Sequence, residues 1–366
     1  MFNLYKLIFA LIFTAILSFI FTEIVRYFAF KVGAIDKPNS RRVNKVAMPS
    51  SGGLAIYLAY FITILLIIPL NRDITIPIFL GATIIIFTGL IDDIKGVSPK
   101  FKILGITIAT LIIYFLADIH VSSIHIPFLG LVNLGYLSLP VTLLWVTAIT
   151  NALNLIDGLD GLATGVSSIS LTTMGIIAFF FLTSNNIEVT IMIFTLVAAC
   201  LGFLPANYFP AKIYLGDTGA LFLGFMISVF SLLHLKNVTF IALMVPLVIL
   251  IIPIADTIFA ITRRIMNKQS ISAADNKHVH HQLMNYGFTH KQSVLLLYII
   301  SFIFSIVALL YPIASKIGLI LLTFGIILFL QFVSELLGLL NNDNKPLINF
   351  FKKALLLYNK DYKENE

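Results

Sequence analysis

About eleven long apolar runs divide this sequence and leave it few folds to choose from. They cover roughly residues 4–30, 52–70, 76–91, 103–117, 139–155, 162–182, 189–206, 219–235, 239–260, 292–311 and 317–339. A helix needs about 20 apolar residues to cross a bilayer core, and most of the runs are near that length. Lipid offers the backbone no hydrogen-bond partner, so a crossing segment is either a helix or a strand of a closed barrel. The runs lack the apolar–polar alternation of barrel strands, and each therefore reads as helical. Composition agrees: 59% of residues are hydrophobic and only 11% are charged, against about 25% charged in an ordinary soluble domain. The expectation is an all-α polytopic membrane protein of about eleven transmembrane helices. Residues 1–340 form a single transmembrane domain and 341–366 a polar tail.

The first run is too long for a signal-peptide core and is followed by no convincing cleavage site, so it reads as the first transmembrane helix. Cys200 is the single cysteine; inside an apolar run, it reads as packing. No internal repeat of the kind that marks inverted-repeat transporters is evident. A net charge of +7 would suggest nucleic acid in a soluble protein. Here the basic residues sit in short loops between runs, so membrane orientation explains them and no nucleic-acid partner is expected.

Loops on alternate sides of the runs differ in charge. Of the 24 Lys and Arg residues, only Lys6, Arg72, Lys236 and Lys316 fall on one side. Positive loops stay in the cytoplasm, which puts the N-terminus outside and the C-terminus, with the 341–366 tail, inside. The acids share the asymmetry: Asp36, Asp92, Asp93, Asp157, Asp160, Asp217 and Asp275 lie in the inner loops. The positive-inside rule says little about acids, so their clustering needs another cause.

Four constellations supply one. In IDDIKGVSPKFK, Asp92 and Asp93 end an apolar run and are followed by Lys95, Lys100 and Lys102. Adjacent carboxylates there repel and are costly to desolvate, and a divalent cation would relieve both costs. The plain alternative is a solvated helix end with surface ion pairs. In NALNLIDGLDGLATG, Asn151, Asn154, Asp157 and Asp160 recur every third residue, which keeps them near one face if the helix continues. Two amides and two carboxylates on one face suit a hard cation and a polyhydroxyl ligand. The alternative is a polar Asp-Gly turn, which leaves the aligned asparagines unexplained.

The third element, NYFPAKIYLGDTG, holds Asn207, Lys212 and Asp217. Asp217 reads either as an N-cap or as a ligand for Mg²⁺, which takes one or two carboxylates together with phosphate and water. The fourth is the longest inner loop, with Arg263, Arg264, His278, His280 and His281. No cysteine or regular zinc spacing accompanies the histidines, so they read as a grip on phosphate or sugar oxygens; an exposed basic loop is the alternative for Arg264 and Lys277. Asp256, seven residues before Arg263 on the same helix face, reads as a buried ion-pair partner or a reactive group. Asp36, Arg41 and Arg42 in the first inner loop read as a contact for anionic lipid.

These motifs, in this order, resemble the polyprenyl-phosphate N-acetylhexosamine-1-phosphate transferases of glycosyltransferase family 4. The resemblance runs from Asp36 to about Gln292. It implies that N-acetylglucosamine 1-phosphate moves from UDP-GlcNAc to undecaprenyl phosphate with release of UMP, using Mg²⁺ or Mn²⁺. It also implies a catalytic face on the cytoplasmic side of the bacterial inner membrane, and a homodimer. The product would feed teichoic acid, O-antigen or another cell-wall polymer.

By position, the resemblance makes Asp217 the metal ligand and Asp92, Asp93, Asp157 and Asp160 catalytic. Lys102, Asn151, Asn154, Asn207, Arg263, His278, His280 and His281 become substrate-binding residues. Asn44 and Ser50 stand where the family usually has histidine and often arginine, and they leave the sugar open to another UDP-N-acetylamino sugar. A nucleotide-sugar transporter and a non-catalytic scaffold are the readings from other classes. Transporter acids sit near mid-bilayer, whereas these sit at helix ends; a scaffold gives no reason for aligned Asn and Asp residues.

Overall fold

The computed structural model describes residues 4–36, 47–126, 130–181, 187–233, 240–269, 278–339 and 345–349. Arg41, Arg42, Asn44, Asp275, Lys277 and most of the 341–366 tail lie outside the described residues. The chain divides into two compact units, residues 1–254 with 290–312 and residues 255–289 with 313–366.

The fold is carried by helices, as an apolar chain in lipid requires. In chain order they are α1 (Leu4–Val32), α2 (Gly53–Leu66), α3 (Arg72–Lys95), α4 (Pro99–Ala117), α5 (Ser138–Ile156), α6 (Leu162–Phe181) and α7 (Ile187–Asn207). There follow α8 (Gly216–Leu233), α9 (Phe240–Ile249), α10 (Ile251–Met266), α11 (Val279–Asn285), α12 (His290–Leu310) and α13 (Lys316–Leu337). Two small antiparallel hairpins join them: β1 (Ile35–Asp36) with β2 (Met48–Pro49), and β3 (Ser123–Ile126) with β4 (Gly130–Asn133). Among the described residues, nine helices are long and apolar enough to cross a membrane. The chain is thus a helical, multi-pass membrane protein.

Two of the eleven runs read from the sequence fall outside those nine, and proline accounts for both. The run at 52–70 yields only the 14-residue α2, because Pro69 cannot continue a helix and biases the residue before it away from helical geometry. The run at 239–260 is divided at Leu250 into α9 and α10, where Pro253 has no N–H to offer Ile249.

In the first unit α8 is the central element. Every residue from Thr218 to Leu233 is buried, and α2, α3 and α5 pack around it. The outer helices α1 and α4 expose Phe9, Phe19, Phe28, Leu104 and Phe115, the faces lipid would cover. The inner face of α1 carries small polar groups that bond to its neighbours in the bundle. Ser18 Oγ donates to the Ala199 carbonyl of α7 at 2.7 Å, and Thr14 Oγ1 to Thr63 Oγ1 of α2 at 2.8 Å. Such bonds hold helices together where no hydrophobic force between them exists.

In the second unit α11 packs on α13. The Tyr286 hydroxyl donates to the Leu336 carbonyl at 3.0 Å and the Arg263 guanidinium to the Leu339 carbonyl at 2.7 Å.

Candidate active site

The site in the first unit is built on the N-terminus of α8. Gly216 opens that helix with φ +72°, and a Cβ there would stand 2.4 Å from Ser50 Oγ and 2.6 Å from Asp93 Oδ2. A Cβ on Gly89 would stand 2.4 Å from Thr218 Cα. Glycine at these two places lets α3 and the Pro49–Gly53 segment close onto the start of α8. Backbone bonds fix the same segment: Tyr214 N–H donates to Pro49 O at 2.9 Å, and Gly52 N–H to Tyr214 O at 3.0 Å.

Asp93 is enclosed by this packing. Its Oδ1 accepts from Ser50 Oγ at 3.1 Å and Asp217 N–H at 3.0 Å. Its Oδ2 accepts from Ser51 Oγ at 2.9 Å, Thr218 N–H at 3.2 Å and Thr218 Oγ1 at 2.6 Å. Five donors meet a group with about four lone-pair sites, so this carboxylate is fully occupied. Two of the donors are orphan amides in the first turn of α8, so Asp93 does from α3 what an N-cap side chain does locally.

Asp217 is released from that task and turns to two other partners. Its Oδ2 lies 2.5 Å from Lys102 Nζ, and its Oδ1 accepts from the amide of Asn154 on α5. The same Lys102 ammonium lies 2.6 Å from Asp92 Oδ2, while Asp92 Oδ1 accepts from Val97 N–H at 2.6 Å. Asp92, Lys102, Asn154 and Asp217 thus form one connected cluster drawn from α3, α4, α5 and α8.

The Asn-Asp motif does not continue as one helix. α5 ends at Ile156, and the aligned face is divided. Asn154 joins Asp217, whereas Asn151 Nδ2 bonds back to Thr147 O at 2.8 Å. Asp157 sits in the turn beyond the helix. Burial, followed by the charges of Asp93 and Asp160, pushes its carboxyl up to about 8, since two like charges disfavour a third in a partly desolvated site.

Asp160 holds neighbouring segments: its Oδ2 accepts from Ala211 N–H at 3.0 Å, and its own N–H donates to His290 Nε2 at 3.0 Å. Asn207 is buried and committed to structure. It accepts from Thr164 Oγ1 at 2.8 Å and donates to Ile213 O at 3.0 Å, which staples the 208–215 segment.

The remaining expected site residues lie in the second unit. Asp256 Oδ2 is 3.0 Å from His278 Nδ1, and Oδ1 accepts from Val279 N–H at 3.1 Å. The rings of His278 and His280 are parallel with centroids 6.0 Å apart, and His281 lies 4.2 Å from His280. Spacing suggested Arg263 as the partner of Asp256; the structure gives that place to His278.

Sequence reasoning missed several contributors. Ser51, Thr218, His290 and Tyr298, whose hydroxyl donates to Gly161 O at 2.5 Å, carry no motif of their own. Position beside a motif is the only signal for Ser51 and Thr218, and His290 and Tyr298 have none.

The donor set bears on the metal expected from the sequence. Among the described residues no group of three or more His, Cys, Asp or Glu is arranged to hold an ion. Mg²⁺ needs no such cage, because one or two carboxylates suffice when substrate phosphates and water complete the shell. Asp217 and Asp92 both reach one point of positive charge at Lys102 Nζ. That pair of carboxylates fits an ion that arrives with a phosphorylated substrate.

A membrane-embedded bundle with carboxylates and a lysine gathered at helix ends defines a class, and sequence comparison identifies it. The glycosyl transferase family 4 profile matches residues 75–235, which include the Asp92–Lys102–Asn154–Asp217 cluster. A probable undecaprenyl-phosphate N-acetylglucosaminyl 1-phosphate transferase of Bacillus subtilis (strain 168) is 41% identical over 352 residues, 96% of this chain and 97% of that protein. The decaprenyl-phosphate N-acetylglucosaminephosphotransferase of Mycolicibacterium smegmatis is 31% identical, over 78% of this chain and 77% of its own length. The undecaprenyl-phosphate alpha-N-acetylglucosaminyl 1-phosphate transferase of Escherichia coli O157:H7 is 29% identical, over 76% and 78% respectively. This chain belongs to glycosyl transferase family 4.

Proposed function

We propose that this protein transfers N-acetylglucosamine 1-phosphate from UDP-GlcNAc to undecaprenyl phosphate. A phosphate oxygen of the lipid attacks the sugar-bearing phosphorus, a new P–O–P bond forms, and the bond to the UMP oxygen breaks. UMP leaves with that oxygen, and the lipid keeps the sugar as a pyrophosphate. The observation that carries this function is the convergence of Asp92 and Asp217 on Lys102 in a membrane protein whose relatives bear the names above.

Phosphoryl transfer asks for charge neutralisation and in-line positioning more than for covalent help. Lys102 supplies fixed positive charge between two carboxylates, and Asn154 sets the orientation of the Asp217 carboxylate. Asp217, with Asp92 across the lysine, is the pair that would hold Mg²⁺ or Mn²⁺. The ion, when bound, supplies neutralisation of the pyrophosphate and of the leaving UMP. No general base is required, because a phosphate monoester with a second pKa near ~6 is already largely dianionic at pH 7. Asp93, filled by five donors, acts as a positioning residue for α8 and thereby for Asp217. In the second unit, Arg263, His278, His280 and His281 are the candidate grip on sugar and phosphate oxygens.

The proposal includes a setting: a bacterial inner membrane, eleven crossings with the N-terminus outside, a cytoplasmic active site, and a homodimer. The product would enter teichoic acid, O-antigen or another surface-polymer synthesis. Purified protein with undecaprenyl phosphate and a panel of UDP-sugars, with and without Mg²⁺, tests the reaction. UMP release that needs the lipid, the metal and UDP-GlcNAc is the expected result. Release only with a different UDP-N-acetylamino sugar would correct the donor, and no release with any would reject the transferase.

A further inference from the structure

We propose that Asp256 is the positioning residue of the histidine cluster: it locks the His278 ring with its proton on Nδ1, so that Nε2 is left as an acceptor for a hydroxyl of the nucleotide sugar. The proposal rests on the transferase function above and goes beyond it by giving a task to a residue outside the transferase motifs.

Asp256 lies on α10, is 2% exposed, and faces a ring that is itself buried. A carboxylate in such a place is costly unless its oxygens are bonded. Both are: Oδ2 to His278 Nδ1 at 3.0 Å and Oδ1 to the Val279 amide at 3.1 Å. The amide can only donate, so Oδ1 accepts. An ionised carboxylate can only accept at Oδ2 as well, which puts the ring proton on Nδ1. The hydrogen bond made by one ring nitrogen sets the state of the other. Because Oδ1 also grips the backbone next to the ring, the carboxylate fixes the ring's position and its tautomer together. His280 stacks parallel to His278 and His281 follows at 4.2 Å, so the ring that Asp256 holds belongs to one group with the other two.

Two measurements test this. The first is ¹⁵N NMR of histidine-labelled protein in nanodiscs, assigned with His278→Gln. Wild type should show the Nδ1-protonated tautomer at His278, and the Nε2-protonated tautomer there overturns the proposal. This measurement needs no turnover, so it stands apart from the reaction itself. If wild type releases no UMP yet shows the Nδ1 tautomer, the reaction assignment fails and the positioning of His278 stands.

The second is a double-mutant cycle on UMP release. Asp256→Asn keeps an oxygen for Val279 but can offer an N–H to Nδ1, which moves the ring proton to Nε2. Its kcat/KM for UDP-GlcNAc should fall roughly 10–100-fold, as when the carboxylate behind a working histidine is lost. Combined with His278→Gln, it should add less than about threefold to that variant's own loss, because coupled residues are not additive. Independent, multiplying losses, or an Asp256→Asn protein as active as wild type, would overturn the proposal. If Asp256→Asn does not fold, the wild-type tautomer alone decides.

Discussion

Lys102 carries the charge balance of the catalytic cluster, because a single ammonium lies within 2.6 Å of two carboxylates. Removing it leaves two partly buried anions facing each other without compensation, the costly way to break an ion pair. Lys102→Met should therefore lower UMP release by about 100-fold or more. Lys102→Arg should not restore it, since a planar fork cannot place one nitrogen against both carboxylates as a point charge does. Asp157 makes a second prediction. Its carboxyl titrates near 8, above its value in an unfolded chain, so the native state binds the extra proton. Stability from this group is full in acid, declines as pH rises from the ordinary carboxylate range, and is lost by about pH 8. In melting curves from pH 5 to 9, Asp157→Asn should show a shallower fall in Tm than wild type. An unchanged slope would contradict the assignment. The two predictions differ in legibility. The sequence shows acids at helix ends, and their spacing flags Asp157. It does not show that Asp93 would be filled by Ser50, Ser51, Asp217 and Thr218, because those donors lie 42 to 125 positions away and meet it only through packing.

Helix contacts govern whether that cluster assembles, and glycine sets the contact between α3 and α8. At Gly89 an added Cβ would stand 2.4 Å from Thr218 Cα and 2.6 Å from Thr218 N. Backbone cannot yield as a side chain can, so Gly89→Ala must push the two helices apart and pull Asp93 away from the amides it accepts from. Activity should fall by tenfold or more, and Tm should fall with it, because charge-assisted hydrogen bonds of about 1.5–3 kcal/mol each are stretched together. Gly325 on α13 is the control: a Cβ there meets nothing within 4 Å. Gly325→Ala should leave UMP release unchanged and stabilise slightly, by about 0.5–1 kcal/mol from helix propensity. Equal damage from both substitutions would show that contact at Gly89 is not what matters. The same scale explains what spacing misjudged. A period of three keeps Asn151, Asn154, Asp157 and Asp160 near one face only if the helix continues, but α5 ends at Ile156 and the four residues take separate tasks. Spacing also allowed Asp217 to be an N-cap; the capping oxygens come from Asp93 on a different helix, and Asp217 is free for Lys102 and Asn154. Where the chain turns depends on the neighbours that receive Asp160, namely Ala211 and His290, and no local pattern encodes them.

Across the whole molecule, hydropathy made the helical membrane class legible, since nine helices among the described residues have the length and apolarity to cross. Two of its runs, at 52–70 and 239–260, become shorter helices where proline intervenes, because a hydropathy window averages over the missing N–H that shortens α2 and divides α9 from α10. Charge asymmetry between loops adds a claim about direction: the Asp92–Lys102 segment faces the cytoplasm and the β3–β4 hairpin faces outward. The chain is well suited to testing this, because its one cysteine, Cys200, is 0% exposed and should stay silent toward a charged maleimide. Lys95 and Asn133 are both exposed, one beside the acid cluster and one on the hairpin. Lys95→Cys should react only in inverted vesicles, and Asn133→Cys only in right-side-out vesicles. Both proteins must retain UMP release, so that labelling reports the native orientation. The opposite pattern would turn the acid cluster outward, away from the cytoplasmic pool in which a UDP-sugar is made, and the proposed donor could not reach it. Labelling of both positions from one side would instead require an even number of crossings between α3 and the hairpin. That would contradict α4 as the single crossing that separates them.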